Sequence, residues 1–335
     1  MQLSNRYFGC GGHSDLDITE ETTQKSYIFF DADMVGTKGA LLEGDRFPGT
    51  AGTSFGVYGF RESGAPIFDK YLTSAQGQLK SPYDYVAKIY RPDDSTNDNP
   101  LPLTYHSLAL WHAGDHSFYA YYPYETSEAI IDIGKDDNGH YLSYTQPASL
   151  DAMVDVMTAS AAAKSSEGEV ELAFVHRLFA LDVVVANDQS ISQYDLEVNS
   201  ANIEFYNVSR GATLYFDDMS PVNTSSYISI KHSYDVSQAA AIANGSFINL
   251  NAGNSFLLLP CSSLKTKLIL SVENAWGEVV EFIIDLSSTD NALAPVGGFQ
   301  AGKKYELKVT KGDKGFDFSY NLKPWSPKEV QMEFN

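Results

Sequence analysis

Apolar and polar residues alternate along most of this chain, in short segments separated by turn residues. Val170, Leu172 and Phe174 occupy every second position of one segment, and residues 181–185 repeat the pattern. Successive side chains of a β-strand point to opposite faces, so this spacing is typical of strands with one buried face. Further strands are predicted at 27–30, 55–60, 85–90, 107–112, 117–122, 129–133, 140–144, 196–206, 213–216, 227–231, 247–249, 256–259, 267–272 and 279–284.

A single segment has the composition of a helix. Residues 151–164 are rich in Ala and Met, and we predict a helix there that ends at Ser165–Gly168. Many short strands with little helix indicate β-sandwiches or barrels. A length of 335 residues suits two domains. We therefore predict an all-β protein with two tandem sandwich domains, at 26–166 and 167–335, after a flexible polar leader at 1–25.

The end of the chain predicts a hairpin and one more strand. Residues 305–309 and 316–322 alternate on either side of a glycine-containing turn, which is typical of a hairpin. Beyond it Val330, Met332 and Phe334 alternate again. An apolar-faced strand seldom stays unpaired, because its backbone groups need hydrogen-bond partners. We expect this strand to pair within its own domain or with another chain.

Composition supports the β prediction and narrows the range of partners. The chain has 21 Tyr and 19 Phe, and aromatic side chains suit a half-buried pleated face. Its formal net charge is −20, which disfavours nucleic acid and anionic lipid as partners. No run of apolar residues is long enough for a membrane-spanning helix.

The two cysteines are far apart in sequence. Cys261 is interpreted as a buried thiol at a strand end, and a disulfide with Cys10 is left open. Cys10 lies in Tyr7–Gly12 and precedes a polar, acidic stretch. The lipid-modified cysteine of an exported lipoprotein has small residues just before it and a polar tether after it. Met1–Arg6 is not an apolar signal core, so either the chain shown starts late or Cys10 is an ordinary cysteine.

Motifs for catalysis and metal binding are incomplete. Ser54 lies in a Gly-x-Ser-x-Gly pattern, but a strand rather than a helix is predicted after it, so a nucleophile elbow is disfavoured. His106, His112 and His116 lie near Asp115, but zinc would need further ordered ligands. We interpret them as ordinary hairpin-end histidines and expect no catalytic site, metal or cofactor.

One further histidine and the three tryptophans could have a structural or a functional role. His176 ends an alternating apolar face and is interpreted as a hydrogen-bonded core histidine. Trp111, Trp276 and Trp325 could stack on sugars, although β-rich cores bury tryptophan routinely.

Several segments, in order along the chain, resemble the fimbrillin family, the pilus subunits of gut and oral Gram-negative anaerobes. The aromatic Tyr-Pro segment Tyr119–Tyr124 and the C-terminal Phe299–Leu307 with Lys323–Trp325 carry part of the likeness. The other similar segments are Ile28–Ala32 with Thr37–Gly39, Ser54–Phe60, Val170–His176 and Ala180–Val185.

The resemblance implies an outer-membrane lipoprotein precursor with two transthyretin-like β-sandwiches, exported to the cell surface and assembled into fimbriae. In that family a trypsin-like protease removes the first strand, and a strand from a neighbouring subunit fills the groove. Carried onto this chain, the cut would follow Lys38 or Arg46. The displaced strand would be Tyr27, Ile28, Phe29 and Phe30, and the donor side chains would be Val330, Met332 and Phe334.

The expected partners are other fimbrial subunits, the maturation protease and a host or bacterial surface ligand. Only ten residues follow Trp325, which leaves stalk, tip and anchor positions open. The alternative function is a surface lipoprotein that binds host or dietary glycans through exposed aromatic residues. A third, a secreted hydrolase, rests on the Ser54 and histidine motifs alone.

Overall fold

The computed structural model describes fourteen stretches of the chain, and the regular secondary structure within them is almost all β-strand. The described residues are 27–34, 51–68, 85–96, 98–106, 108–124, 130–164, 168–187, 196–216, 221–243, 245–251, 254–273, 277–286, 294–312 and 315–323. A short 3-10 turn, Leu150–Ala152, lies among the strands. The prediction of an all-β fold is confirmed.

The strands are numbered in chain order. They are β1 (Phe29–Met34), β2 (Ser54–Arg61), β3 (Val86–Tyr90), β4 (Asp115–Tyr122), β5 (Ile131–Asp136), β6 (Gly139–Thr145), β7 (Met157–Lys164), β8 (Glu169–His176), β9 (Phe179–Asn187), β10 (Leu196–Ser209), β11 (Gly211–Tyr215), β12 (Pro221–Asn223), β13 (Tyr227–Ile242), β14 (Phe247–Asn249), β15 (Phe256–Leu258), β16 (Thr266–Glu273), β17 (Val279–Asp285), β18 (Lys304–Gly312) and β19 (Gly315–Lys323).

These strands form four sheets. The first has six strands in the order β1-β8-β7-β4-β2-β3, and the second has four in the order β12-β11-β6-β5. The third has the order β13-β10-β16-β17, and the fourth has β14-β9-β18-β19 with β15 also paired to β9. Two neighbouring pairs are parallel, β1 with β8 and β9 with β18. The antiparallel pair β18–β19 is the hairpin that the sequence predicts.

At strand β2, the six-stranded sheet is buried on both faces. On one face the ring of Tyr58 in β2 lies 5.2 Å from that of Phe216, which follows β11, so this face packs against the second sheet. Gly56 makes room on the same face, because a Cβ there would collide with the ring of Tyr121. The other face carries a separate apolar cluster, which includes Phe55 and is covered by connecting segments around residues 67–68 and 103–111.

Two local predictions are wrong. The Ala-rich segment 151–164 forms the 3-10 turn and then strand β7, with no α-helix. Packing overrides helix propensity here, since β7 pairs along β4 and places small Ala161 opposite bulky Phe118. The predicted strand at 107–112 is absent from its described part, 108–112, where Leu110 makes an isolated bridge to Tyr27.

Strands from both sides of the predicted domain boundary share sheets. The boundary at 166/167 falls between β7 and β8, which are neighbours in the six-stranded sheet. Farther along the chain, β11 pairs with β6. The division into domains at this residue stays a prediction, and a cut there would separate paired strands.

Candidate functional site: the groove that holds β1

The segment that contains β1 buries one face and exposes the other. Ile28, Phe30 and Ala32 are 0, 4 and 2% exposed, whereas Tyr27 and Phe29 are 46 and 42% exposed. This is the alternation of a strand that lies on an apolar surface. We use the term β1 groove for the surface that receives Ile28, Phe30 and Ala32.

Aromatic rings surround the middle side chain of the strand. The centroid of the Phe30 ring lies 5.6 Å from that of Phe118, 5.8 Å from Tyr105 and 6.2 Å from Phe68. Such tilted and edge-to-face pairs add about 0.5–1.5 kcal/mol each beyond the burial of apolar area. Phe30 is therefore the main side-chain anchor of β1.

The backbone of β1 is paired along one side. It runs parallel to β8, with Phe29 opposite Glu169 and Met34 opposite Phe174. On its other side, β8 pairs with β7 at its C-terminal end, where Val175 and His176 have partners. β1 thus pairs the β8 backbone from Glu169 to Phe174 and forms an edge of the sheet.

A few bonds hold the start of the segment on its other side. The Ile28 N–H donates to the Ala109 carbonyl at 2.9 Å, and the Tyr105 hydroxyl donates to the Ile28 carbonyl at 2.8 Å. The Tyr105 oxygen accepts from the Ala109 N–H at 3.1 Å. Burial raises the pKa of Tyr105, and the bond from Ala109 partly opposes this. The hydroxyl is therefore neutral and can donate at physiological pH.

Farther along, the edge of β1 faces a cavity of about 380 Å³ that is walled in part by Pro100, Pro102 and Leu103. Buried Arg91 lies beside it and donates to the Leu101 carbonyl. Burial lowers the pKa of Arg91, and the nearby Asp31 carboxylate opposes that shift. Asp31 also accepts from the Ala32 N–H at 2.9 Å. A side chain thus satisfies an edge amide, and this part of β1 borders open space.

The structure describes only some of the site residues that the sequence predicts. Tyr27, Ile28, Phe29 and Phe30 lie at the start of the segment described above. The predicted cleavage sites Lys38 and Arg46, the predicted donor side chains and Cys10 lie outside the described residues. Sequence reasoning missed Phe68, Tyr105 and Phe118 as walls of the groove. Their aromatic character was the available signal, but nothing in the spacing linked them to residue 30.

The residues of the catalytic and metal-binding motifs lie in or beside the strands. Ser54 is buried and begins strand β2, with no helix after it. The rings of His112 and His116 lie 6.3 Å apart, and His116 is buried against Trp111. Over the part of the chain that the structure describes, no three His, Cys, Asp or Glu side chains are grouped to hold a metal ion.

His176 is hydrogen-bonded in the core, as predicted. Its Nδ1 lies 2.9 and 3.0 Å from the two carboxylate oxygens of Asp155, and both side chains are buried. Trp111 is also buried, and the other two tryptophans lie outside the described residues. In the described stretches, no helix is long and apolar enough to cross a membrane.

Comparison with solved structures supports the fold. A fimbrial protein from Bacteroides vulgatus superposes with a TM-score of 0.54 at 14% identity, covering 90% of this chain and 99% of that one. A candidate cell adhesion protein from Bacteroides ovatus gives a TM-score of 0.53 at 14% identity, covering 90% and 98%. A similar protein from Bacteroides uniformis gives 0.51 at 15% identity, covering 92% and 100%.

Comparison of sequences identifies the family. No curated protein sequence gives a significant match to the chain. The sequence profile described as fimbrillin-like, however, matches residues 49–325, which is most of the chain. The fimbrillin resemblance inferred from Tyr119–Tyr124 and the C-terminal segments is therefore confirmed: this chain belongs to the fimbrillin-like family.

Proposed function

We propose that this protein is a structural subunit of a cell-surface fimbria and assembles by exchange of its first strand. Membership in the fimbrillin-like family supports the role of a fimbrial component that associates with other fimbrial subunits. The observation that carries the exchange step is the position of β1, an edge strand that, with the residue before it, places Ile28, Phe30 and Ala32 in an aromatic groove.

Loss of β1 would create an acceptor site. The β8 backbone from Glu169 to Phe174 would lose its partner, and Phe68, Tyr105 and Phe118 would lose the Phe30 ring. An exposed sheet edge beside an apolar surface recruits another extended chain, which restores the backbone bonds and fills the pockets with alternate side chains. The acceptor is thus formed by the same contacts that hold β1.

The sequence offers a processing site and a donor. Lys38 and Arg46 follow β1, and a trypsin-like protease cutting at either would separate the strand from the rest of the domain. Val330, Met332 and Phe334 have the same every-second-residue spacing as Ile28, Phe30 and Ala32. We propose that these three side chains enter the β1 groove of a neighbouring subunit.

Limited trypsin digestion tests the exchange. Digestion is stopped while mass spectrometry still finds the chain intact after Lys328, which precedes the donor. Protein cut after Lys38 or Arg46 is then expected to give oligomers on native gels, and Met332→Asp is expected to prevent them, because a carboxylate would enter an apolar pocket. Glu333→Gln, on the opposite face of the predicted donor strand, is the matched control and should assemble normally. The absence of oligomers from cut wild-type protein, or equal assembly by Met332→Asp, would refute donation by this segment.

The route to the cell surface is part of the proposal. Cys10 precedes a polar tether and would carry the lipid that anchors the precursor in the outer membrane. Incorporation of labelled fatty acid in expressing cells, and its loss in Cys10→Ser, is the expected result. Equal labelling of both chains would refute anchoring through Cys10.

A further inference from the structure

A pair of tyrosines lies on the outer face of the second sheet, whereas β1 belongs to the first sheet. Tyr141 of β6 lies opposite Tyr215 of β11, with ring centroids 5.9 Å apart and ring planes at 72°. Their neighbours Leu142 and Leu214 point into the core and are buried, so the two rings point away from it. Both tyrosines are partly exposed, and together they form an aromatic corner.

The position of the Tyr141 ring is constrained by the neighbouring strand. Gly134 of β5 lies opposite Tyr141, and a Cβ at Gly134 would collide with the Tyr141 ring. The ring therefore lies across the glycine backbone, where any larger residue would displace it. An aromatic side chain fixed in this way loses little further freedom when a ligand binds to it.

Polar groups at the β5–β6 turn border the corner. The Tyr215 hydroxyl donates to Asp136 Oδ2 at 2.8 Å, and Asn138 Nδ2 lies 3.4 Å from the same hydroxyl. The Asn138 N–H donates to Asp136 Oδ1 at 2.8 Å. Asp136 and Asn138 are both exposed, so a carboxylate and an amide face solvent beside the two rings.

We propose that the Tyr141–Tyr215 corner binds a neutral carbohydrate. The C–H groups of a sugar ring carry partial positive charge and are attracted to the negative face of an aromatic ring. The Asp136 carboxylate and the Asn138 amide supply the acceptors and donors that hydroxyl groups require. The net charge of −20 disfavours phosphorylated, sulfated or sialylated ligands. The site is independent of the strand exchange proposed above.

Saturation-transfer NMR on the uncut monomer tests the site without any assembly step. The probes are the neutral oligosaccharides cellotetraose, maltotetraose and lacto-N-tetraose, each at roughly 5 mM, with 3′-sialyllactose as the anionic comparison. We expect transfer to at least one neutral probe and weaker transfer to the anionic one. Tyr141→Ala should weaken binding at least 10-fold, and Asp136→Asn about 10-fold through loss of charge-assisted hydrogen bonds.

Two controls show whether a loss of binding is specific to this site: a tyrosine on another sheet, and a measurement of folding. Tyr227 of β13 is 65% exposed on another sheet, so Tyr227→Ala should bind the probe as wild type does. Urea titration should show that Tyr141→Ala remains folded. Three results would each overturn the proposal: no transfer to any neutral probe, unchanged binding in Tyr141→Ala, or equal loss in Tyr227→Ala.

Discussion

β1 and β18 enter their sheets in the same way but are held very differently. Each is a parallel partner of one of two strands adjacent in the chain, β1 of β8 and β18 of β9. β1 is the edge of its sheet, whereas β18 lies between β9 and β19. β18 therefore has a paired strand on both sides, and β1 has one along β8 only.

The surroundings of β18 reinforce the difference. Tyr305, Leu307 and Val309 are buried much as Ile28, Phe30 and Ala32 are. In addition, the Lys304 ammonium lies 2.8 Å from the Asp182 carboxylate of β9, with both side chains mostly buried. The Tyr305 ring packs at 5.0 Å from that of Phe299.

The comparison shows which property makes a strand separable. Apolar burial is alike in the two strands, so it cannot decide which one can leave. The number of paired neighbours can decide this. Removing β18 would break the backbone hydrogen bonds to two strands, whereas removing β1 would break those to one strand and a few further hydrogen bonds. We therefore propose that β1 is exchanged and that β18 stays in its sheet.

The largest expected effect comes from removing the Phe30 ring. Phe30→Ala should cost about 3–5 kcal/mol, because it leaves a cavity among Phe68, Tyr105 and Phe118. Hydrogen exchange should show faster exchange at the amides that β1 and β8 protect in each other, with the β9–β18 ladder much less affected. Phe29→Ala, on the exposed face of the same strand, is the control and should change exchange little.

A core substitution in β18 should act on the whole fold instead. Leu307 is fully buried, and Leu307→Ala should cost about 2–5 kcal/mol. We expect a lower urea midpoint for global unfolding, with exchange raised in β9, β18 and β19 together. If only β18 exchanged faster, β18 would be as separable as β1 and the comparison would fail.

Removing one hydroxyl should loosen the start of the β1 segment. Tyr105→Phe deletes the donor to the Ile28 carbonyl and the acceptor for the Ala109 N–H. Leaving those groups unsatisfied should cost about 1–3 kcal/mol. We expect faster hydrogen exchange at Ile28 and Ala109 while the ring packing of Phe30 stays intact, as aromatic NMR shifts would show. Unchanged exchange at both amides would contradict this role for Tyr105.

The smallest effect is a pH dependence near β18. The backbone of Cys261 forms an isolated β-bridge with that of Phe299. Burial raises the pKa of the Cys261 thiol from 9.0 to about 11, and a hydrogen bond with the Ser263 backbone partly opposes this shift. Because the folded state holds this proton more tightly, its contribution to stability is present below pH 9 and is lost as pH rises towards 11. Urea titrations of Cys261→Ala should show a flatter decline than wild type from pH 9 to about 10, since the ionisation of tyrosines affects both chains alike. Equal slopes would contradict it.

The sequence predicts the strands better than their partners. Alternation at Val170, Leu172 and Phe174 identifies β8, because one buried face is a local property. The pairing of β1 with β8 joins residues well over a hundred positions apart, and no local pattern encodes it. The Ala-rich strand β7 has the composition of a helix, and its strand conformation depends on its neighbour β4.

For the candidate site, too, the sequence does not show the contacts between distant segments. The family resemblance assigns the first strand its role, but residues 27–30 are all apolar, so the sequence does not show which of them point inward. The aromatic walls come from separate segments that meet only in the folded chain, and the Tyr141–Tyr215 corner depends on the register between β6 and β11. Sequence spacing contains neither relation.

The central claim is that β1 must leave its groove before subunits join, and a disulfide between β1 and β8 tests it. Asp31 and Glu171 are opposite each other on these strands, and both are exposed. Neighbouring strands are about 4.8 Å apart, within the Cα separation that a disulfide spans. The measurement is oligomer formation by Asp31→Cys/Glu171→Cys after trypsin cutting, oxidised and then reduced, with the two single variants as controls.

Mass spectrometry would verify the cross-link and the cut after Lys38 or Arg46 in each sample. The oxidised double variant should be cut but stay monomeric, because β1 remains tied in place, and reduction should restore oligomers. Both single variants should assemble under either condition. Oligomers formed equally well by the cut, oxidised double variant would contradict the claim.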